Sequence, residues 1–170
     1  MPDNNGAIIS DDGQYRYHLW RVWDEEKPIL IFVMMNPSTA DASEDDPTIR
    51  KCIGFAERDG YGGISVKNVF ALRATDPREL LVHPDPIGPD NWDHLIRARN
   101  VSLLTRLVVA WGNRIGPKRR SRFRTAYCEA ANACASQGAY CLGTTKSGDP
   151  RHPLFVRADA EFVLWKQPSY

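Results

Sequence analysis

Residues 29–35 read Ile-Leu-Ile-Phe-Val-Met-Met, an unbroken apolar run that gives way to Asn36, Pro37, Ser38 and Thr39 with no charged side chain before Asp41. A half-exposed strand alternates apolar with polar; a run without alternation reads as a strand covered on both faces. Such a strand needs packing partners above and below it. It also needs neighbours on each side, because its backbone N–H and C=O groups have no water to turn to.

The rest of the chain supplies candidates for both. Residues 15–23, "YRYHLWRVW", alternate in type and are rich in aromatic side chains, which predicts a strand pairing with residues 7–10 across the "DDGQ" turn. "DEEKP" makes a second turn into Ile29, so the front of the chain reads as an antiparallel meander feeding the long buried strand. After Asp46, Pro47 sits at a first helical position, Ile49, Cys52, Ile53 and Phe55 recur at helical spacing, and Gly60 provides a stop. "GISVKNVFAL" predicts a second strand, "DNWDHLIRARNVSLLTR" a second helix, and residues 107–111 a third buried strand closed by Gly112. "RSRFRTAYCEAANACASQG" predicts a third helix, followed by a short "AYCLG" strand and the "TTKSGDPRHP" loop.

Strand and helix thus alternate through the middle of the chain. Parallel neighbours need crossover connections, so the expected fold is a three-layer α/β/α arrangement with a short, mainly parallel sheet and an antiparallel N-terminal addition. A chain of 170 residues suits one domain, with N-terminal strands in 1–28, a core in 29–157 and a C-terminal segment in 158–170. No apolar segment approaches the roughly 18 residues of a membrane span, and the start lacks a signal-peptide pattern, so the expected location is the cytoplasm. The 22 basic and 21 acidic residues leave a net charge of +1, which gives no general attraction to a polyanion. Cys52, Cys128, Cys134 and Cys141 form no C-x-x-C pair, and the four histidines show no ligand spacing, so reduced thiols, no metal and no cofactor are expected.

In a parallel α/β sheet, ligands bind outside the carboxyl ends of the strands. Three motifs fall there. In "MNPST", Asn36 offers a donor and an acceptor, Pro37 fixes the backbone, and Ser38 and Thr39 bring hydroxyls and amides able to hold a water or an anion; a helix cap or Asx turn would use the same residues. In "SVKNVFALRATDP", Asn68 interrupts an apolar strand and could read the edge of a base, or could be a buried amide satisfied by backbone. Phe70 and Arg73 accompany it, and Asp76 with Pro77 reads as a helix cap. In "GTTKSGDPRHPLF", the ending of a phosphate loop is missing, which excludes a nucleotide triphosphatase, and Lys146, Arg151 and His152 remain as candidates. The basic run "PKRRSRFR" is either a solvated helix start or a phosphate contact.

Taken together the motifs resemble the uracil-DNA glycosylase superfamily. "MMNPS" is similar to the G-I-N-P-G motif of its mismatch-specific branch, "VKNVFALRAT" to the T-N-V-V-K-C-R-P strand of the iron-sulfur branch, "VVAWG" to the L-A-L-G strand and "RHPLF" to the H-P-S motif. The wider pattern, with "DPTIRKC", "GYGG" and "RHPLF", also resembles the domain-of-unknown-function family 1643 over nearly the full chain. The glycosylase resemblance implies that Asn36 orients an attacking water, Asn68 reads a pyrimidine edge and His152 stabilises charge on a departing base. Pro37, Ser38, Thr39, Phe70, Arg73, Gly112, Lys146 and Arg151 would line the substrate site.

The leading expectation is a base-recognising protein that hydrolyses an N-glycosidic bond in DNA or a modified nucleotide. Two alternatives stand beside it: a non-catalytic module binding a nucleotide or single-stranded nucleic acid, and a small-nucleoside hydrolase or transferase using Asp41, Asp45 or Asp46 as a base.

Overall fold

A computed structural model describes residues 4–38, 40, 43–101, 105–115, 122–135 and 138–168, the side chains of 98–101 and 135 aside. Strands β1 (Gly6–Ile9) and β2 (Arg16–Val22) form the expected N-terminal hairpin, with Gly6 opposite Trp20 and Ile8 opposite His18. The apolar run becomes β3 (Ile29–Met34). Helix α1 (Pro47–Arg58) begins where its sequence signals lie: Asp46 accepts the Ile49 N–H at 2.8 Å, Pro47 needs no partner for a missing N–H, and Gly60 leaves the helix at φ 81°. Then come β4 (Gly63–Asn68), a single-turn α2 (Glu79–Val82), α3 (Asn91–Val101), β5 (Leu107–Val109), α4 (Arg122–Ala135), β6 (Tyr140–Cys141), a 3₁₀ turn at Pro153–Phe155 and β7 (Val163–Leu164).

The sheet runs β1-β2-β4-β3-β5-β6-β7. Its centre, β4-β3-β5-β6, is parallel, and antiparallel strands flank it at both ends. The flanking β7 and the 3₁₀ turn have no counterpart in the sequence reading. Alternate residues of β3 divide between two cores. Ile31 and Val33 pack with Leu107, Val109, Leu95 of α3 and Phe123, Tyr127 and Ala130 of α4. Leu30, Phe32 and Met34 pack with Ile49, Cys52, Phe55 and Ala56 of α1. Helices therefore cover both faces, and this double burial accounts for the absence of polar residues in β3.

Two details depart from the sequence reading. The N-terminal hairpin does not feed β3 as a neighbour, because β2 pairs with β4 and residues 24–28 carry the chain past that strand. Gly62 and Gly63 permit this close approach: the Trp23 and Asp24 N–H groups both donate to the Gly62 carbonyl at 2.9 Å. Asp76 does not cap a helix either. Its carboxylate accepts the Arg78 N–H at 2.9 Å in a turn, and α2 begins only at Glu79.

A side chain at Gly63 would meet the neighbouring strand directly. A Cβ there would lie 2.5 Å from the Arg21 carbonyl oxygen and 2.6 Å from Ile29 Cδ1. Gly63→Ala is therefore expected to destabilise the fold by about 1–3 kcal/mol, the usual cost of overpacking, measured by denaturant unfolding. An unchanged midpoint would show that β2 is not held against β4 as tightly as this.

Candidate functional site

A cavity of about 990 Å³ opens at the carboxyl ends of the central strands. Asn36 and Ser38 reach it after β3, Ala74 and Thr75 on the chain that follows β4, Trp111, Gly112 and Asn113 after β5, and Lys146, Arg151 and His152 after β6. The start of α1 contributes Asp46 and Thr48. The loop ends that sequence reasoning brought forward thus meet in one place, for the reason that parallel strands all terminate on the same side.

Asn36 is held by its amide nitrogen. Nδ2 donates to the Pro37 carbonyl at 3.0 Å and to the Ala74 carbonyl at 2.8 Å. Two carbonyl partners fix which end of the amide is nitrogen. Oδ1 is then the amide atom with no partner among the described residues, so Asn36 offers the cavity an acceptor. Pro37 is buried, and its carbonyl also accepts the Ala74 N–H at 3.0 Å. It shapes the turn without lining the cavity. Asn36 thus ties the turn after β3 to the chain after β4 through its amide nitrogen, while its oxygen faces no partner among the described residues.

His152 caps the 3₁₀ turn, with Nδ1 accepting the Leu154 N–H at 3.3 Å. A ring nitrogen that accepts carries no proton, which assigns the proton of the neutral ring to Nε2. Burial pushes the imidazole below its ordinary range, and the Asp46 carboxylate pulls it part of the way back. Gly112 lets the chain bearing this histidine come close. It adopts φ 75°, donates its N–H to the Pro150 carbonyl at 2.9 Å, and a Cβ there would stand 3.3 Å from His152 Cβ. Beside the ring, Phe155 is 80% exposed with its centroid 5.8 Å from the imidazole, and Leu154 is also exposed.

The walls are tied to one another. Arg114 and Asp149 form an ion pair at 2.6 Å that joins the segment after β5 to the loop after β6, and the Asp149 side chain is 3% exposed. Ser147 Oγ donates to the other Asp149 oxygen at 2.9 Å, and Arg151 Nε donates to the Thr144 carbonyl at 3.0 Å.

Arg16 was not among the sequence candidates, yet it lines the cavity while only 2% exposed. A β-bulge explains its position. The β1–β2 register shifts between Ile8 and Ile9, leaving Tyr17 as an extra residue on β2. Strict alternation would put Arg16 on the face of His18 and Trp20; the extra residue turns it toward α1, where its guanidinium donates to the Ala40 carbonyl. The available sequence signal was a charged residue inside an aromatic strand.

Two further proposed site residues, Asn68 and Phe70, fall elsewhere, and Arg73 lies beside the cavity. Asn68 is 1% exposed, and its Oδ1 is sealed without a hydrogen-bond partner. The ladder with β3 outlasts β4 itself: Val69 N–H donates to the Met34 carbonyl and Phe70 N–H to the Met35 carbonyl, each at 2.9 Å. The chain accordingly reaches the cavity only at Ala74, and Asn68 stays within the sheet. Phe70 is fully buried against Phe123 and Tyr127, at centroid distances of 5.4 and 5.2 Å. Thr39 and Asp41 lie outside the described residues. Arg73 lines an adjoining cavity of about 600 Å³, which shares Ser38, Ala74 and Thr75 with the first, and its Nη1 donates to the Gly13 carbonyl at 3.2 Å. Of the alternative acids, Asp45 pairs with Arg21 at 2.9 Å, and Asp46 is the α1 cap that also lines the cavity.

Among the described residues no group of three or more His, Cys, Asp or Glu side chains could hold a metal ion, and no helix is long and apolar enough to cross a membrane. The four cysteines are free thiols, and burial pushes Cys134 up to about 12.

The family model described as a protein of unknown function, DUF1643, matches residues 16–154, and the chain belongs to that family. No curated protein and no solved structure matches it.

Two outcomes test this geometry. Asp149→Ala removes the buried carboxylate that pairs with Arg114 and is expected to cost about 3 kcal/mol in denaturant unfolding. A change under about 0.5 kcal/mol, the usual size of a surface substitution, would deny that the pair ties the walls together. An unfolded histidine titrates near about 6.5, and the fold favours neutral His152, so its stabilisation is complete above that pH and is lost as the pH falls through the lowered folded value. NMR titration of the ring should give a midpoint below about 6.5. A midpoint above it would contradict the half-buried, accepting imidazole.

Proposed function

We propose that the cavity receives a nucleobase and that the protein hydrolyses the N-glycosidic bond holding it, in DNA or in a modified nucleotide. The observation that carries this reading is the pairing of complementary groups on one cavity: the Asn36 acceptor and the neutral, Nε2-protonated His152. Cleavage of a glycosidic C–N bond passes through an oxocarbenium-like state, with negative charge growing on the base. An acceptor that orients a water and a donor that meets the leaving base are the two groups such a step needs. His152 can donate without first being charged. With Asn68 held in the sheet, base recognition falls to groups on the cavity itself, among them Asn113, Ser38 and Thr75. The exposed Phe155 ring offers a face on which a base can stack.

A second reading, a module that binds the nucleotide or a single strand without cleaving it, draws on Asp46. It is the only carboxylate among the described residues lining the cavity, and one of its oxygens is occupied by the Ile49 N–H.

Incubation with oligonucleotides carrying uracil, hypoxanthine and other altered bases, followed by alkali, separates the two. The catalytic reading expects strand cleavage that falls about 100-fold in His152→Ala, the effect of removing one transition-state donor. No cleavage of any substrate at high protein concentration removes it for DNA. Saturable binding of the same oligonucleotides or of nucleotides by calorimetry, without turnover, then establishes the module.

A further inference from the structure

The cavity of about 600 Å³ beside the first one has a charged wall that the reading above leaves without a task. Arg73 carries that charge, and the turn between β1 and β2 holds it in place: the Arg73 N–H donates to the Gln14 carbonyl at 2.9 Å, and Nη1 donates to the Gly13 carbonyl at 3.2 Å. The guanidinium is half-buried, and no acid among the described residues pairs with it. Asp12, on the same turn, accepts from Ser10 Oγ at 2.6 Å and from the Gln14 N–H at 3.0 Å, while Asp76 pairs with Arg78 at 2.6 Å. Glu79 is the carboxylate on the walls of this cavity; it is exposed and accepts the Asp76 N–H at 3.4 Å. Nε of Arg73 is sealed without a hydrogen-bond partner among the described residues, so Nη1 alone of its three nitrogens is engaged. A partly desolvated charge with no counter-ion is costly, and a fork with uncommitted donors matches an oxyanion.

We propose that this second cavity is a phosphate subsite, in which Arg73 holds the phosphate ester of the ligand whose base occupies the larger cavity. The inference rests on the base-binding reading of that larger cavity. The two spaces are continuous at Ser38, Ala74 and Thr75, which line both. The Ser38 and Thr75 hydroxyls have no hydrogen-bond partner among the described residues, and a hydroxyl that can donate or accept suits the sugar lying between base and phosphate. Arg73 also stands next in the chain to Ala74, whose carbonyl takes the Asn36 amide N–H at 2.8 Å. One short segment therefore sets both the acceptor of the first cavity and the cation of the second. His83 lines the second cavity too; its Nδ1 accepts the Asp85 N–H at 3.1 Å, which leaves the proton of the neutral ring on Nε2 as a further donor. A space of about 990 Å³ is already at the upper end of what a drug-sized ligand fills, so a bare base would leave room toward the junction.

The test is calorimetric titration of the full chain, at matched ionic strength, with uridine and inosine, with their 5′-monophosphates and with ribose 5-phosphate. The monophosphate is expected to bind about tenfold or more tighter than its nucleoside, the gain of a charge-assisted pair. Arg73→Gln should abolish that advantage while nucleoside affinity stays within about twofold of the unaltered chain, since the larger cavity keeps its groups. Arg73→Lys, which keeps the charge and loses the fork, should retain only part of the advantage and reads the subsite through a milder change. Lys27→Gln, which removes an exposed charge at the opposite end of the sheet, should retain all of it. An oligonucleotide that binds tighter than the monophosphate with the same dependence on Arg73 identifies backbone phosphate as the source; equal or weaker binding identifies the free nucleotide. Equal affinity for nucleoside and monophosphate, or an advantage that survives in Arg73→Gln, overturns the subsite and leaves the base-binding reading standing. Ribose 5-phosphate binding that needs Arg73 while neither nucleoside binds keeps the subsite and removes the base-binding reading, and no binding by any of these ligands removes both.

Discussion

Strand β3 has a parallel neighbour on each side and helices over both faces, and the remainder of the molecule is arranged around that burial. Every backbone group of β3 between Ile29 and Met34 must be met by β4 or β5, and no side chain along it can be polar without leaving an unpaired group. Polarity is admissible only where the strand emerges. It emerges at Asn36, on the side where β5 and β6 also end, so one topological constraint gathers the candidate groups around one cavity.

Within that frame, the precision of the cavity depends on small backbone devices. Gly112 brings the chain bearing His152 close, the Arg114–Asp149 pair joins two walls, and the bulge at Tyr17 turns a guanidinium that would otherwise lie on the opposite face. Gly112 and the bulge act through the backbone, and the ion pair through its own side chains. Asn36 divides its roles inside a single residue, its nitrogen committed to the turn and its oxygen left over.

Much of this was legible in the sequence, and the parts that were not have physical reasons. The apolar run, the Asp46–Pro47 start and the Gly60 end of α1 are local signals, and each produced the element it predicted. The pairing of β2 with β4 is a tertiary choice, visible in the sequence only as Gly62-Gly63, which equally suits a turn. Asn36, Ser38, Gly112, Lys146, Arg151 and His152 could be placed together because parallel strands share an exit side. Asn68 could not be placed correctly, because the β3 ladder runs on to Phe70 and nothing in the strand's composition marks where its hydrogen bonding stops. Arg16 was missed because a bulge breaks the period of two on which strand-face assignments rest.

The central claim is that Asn36 and His152 act on one bound base. A crystal structure of the protein soaked with a free nucleobase, hypoxanthine or uracil, tests it most directly. The account predicts the base inside the cavity, His152 Nε2 within about 3 Å of a ring acceptor and Asn36 Oδ1 holding a water or ring N–H against it. A base bound elsewhere, or one in the cavity with His152 turned to a protein partner and Asn36 out of reach, would contradict it.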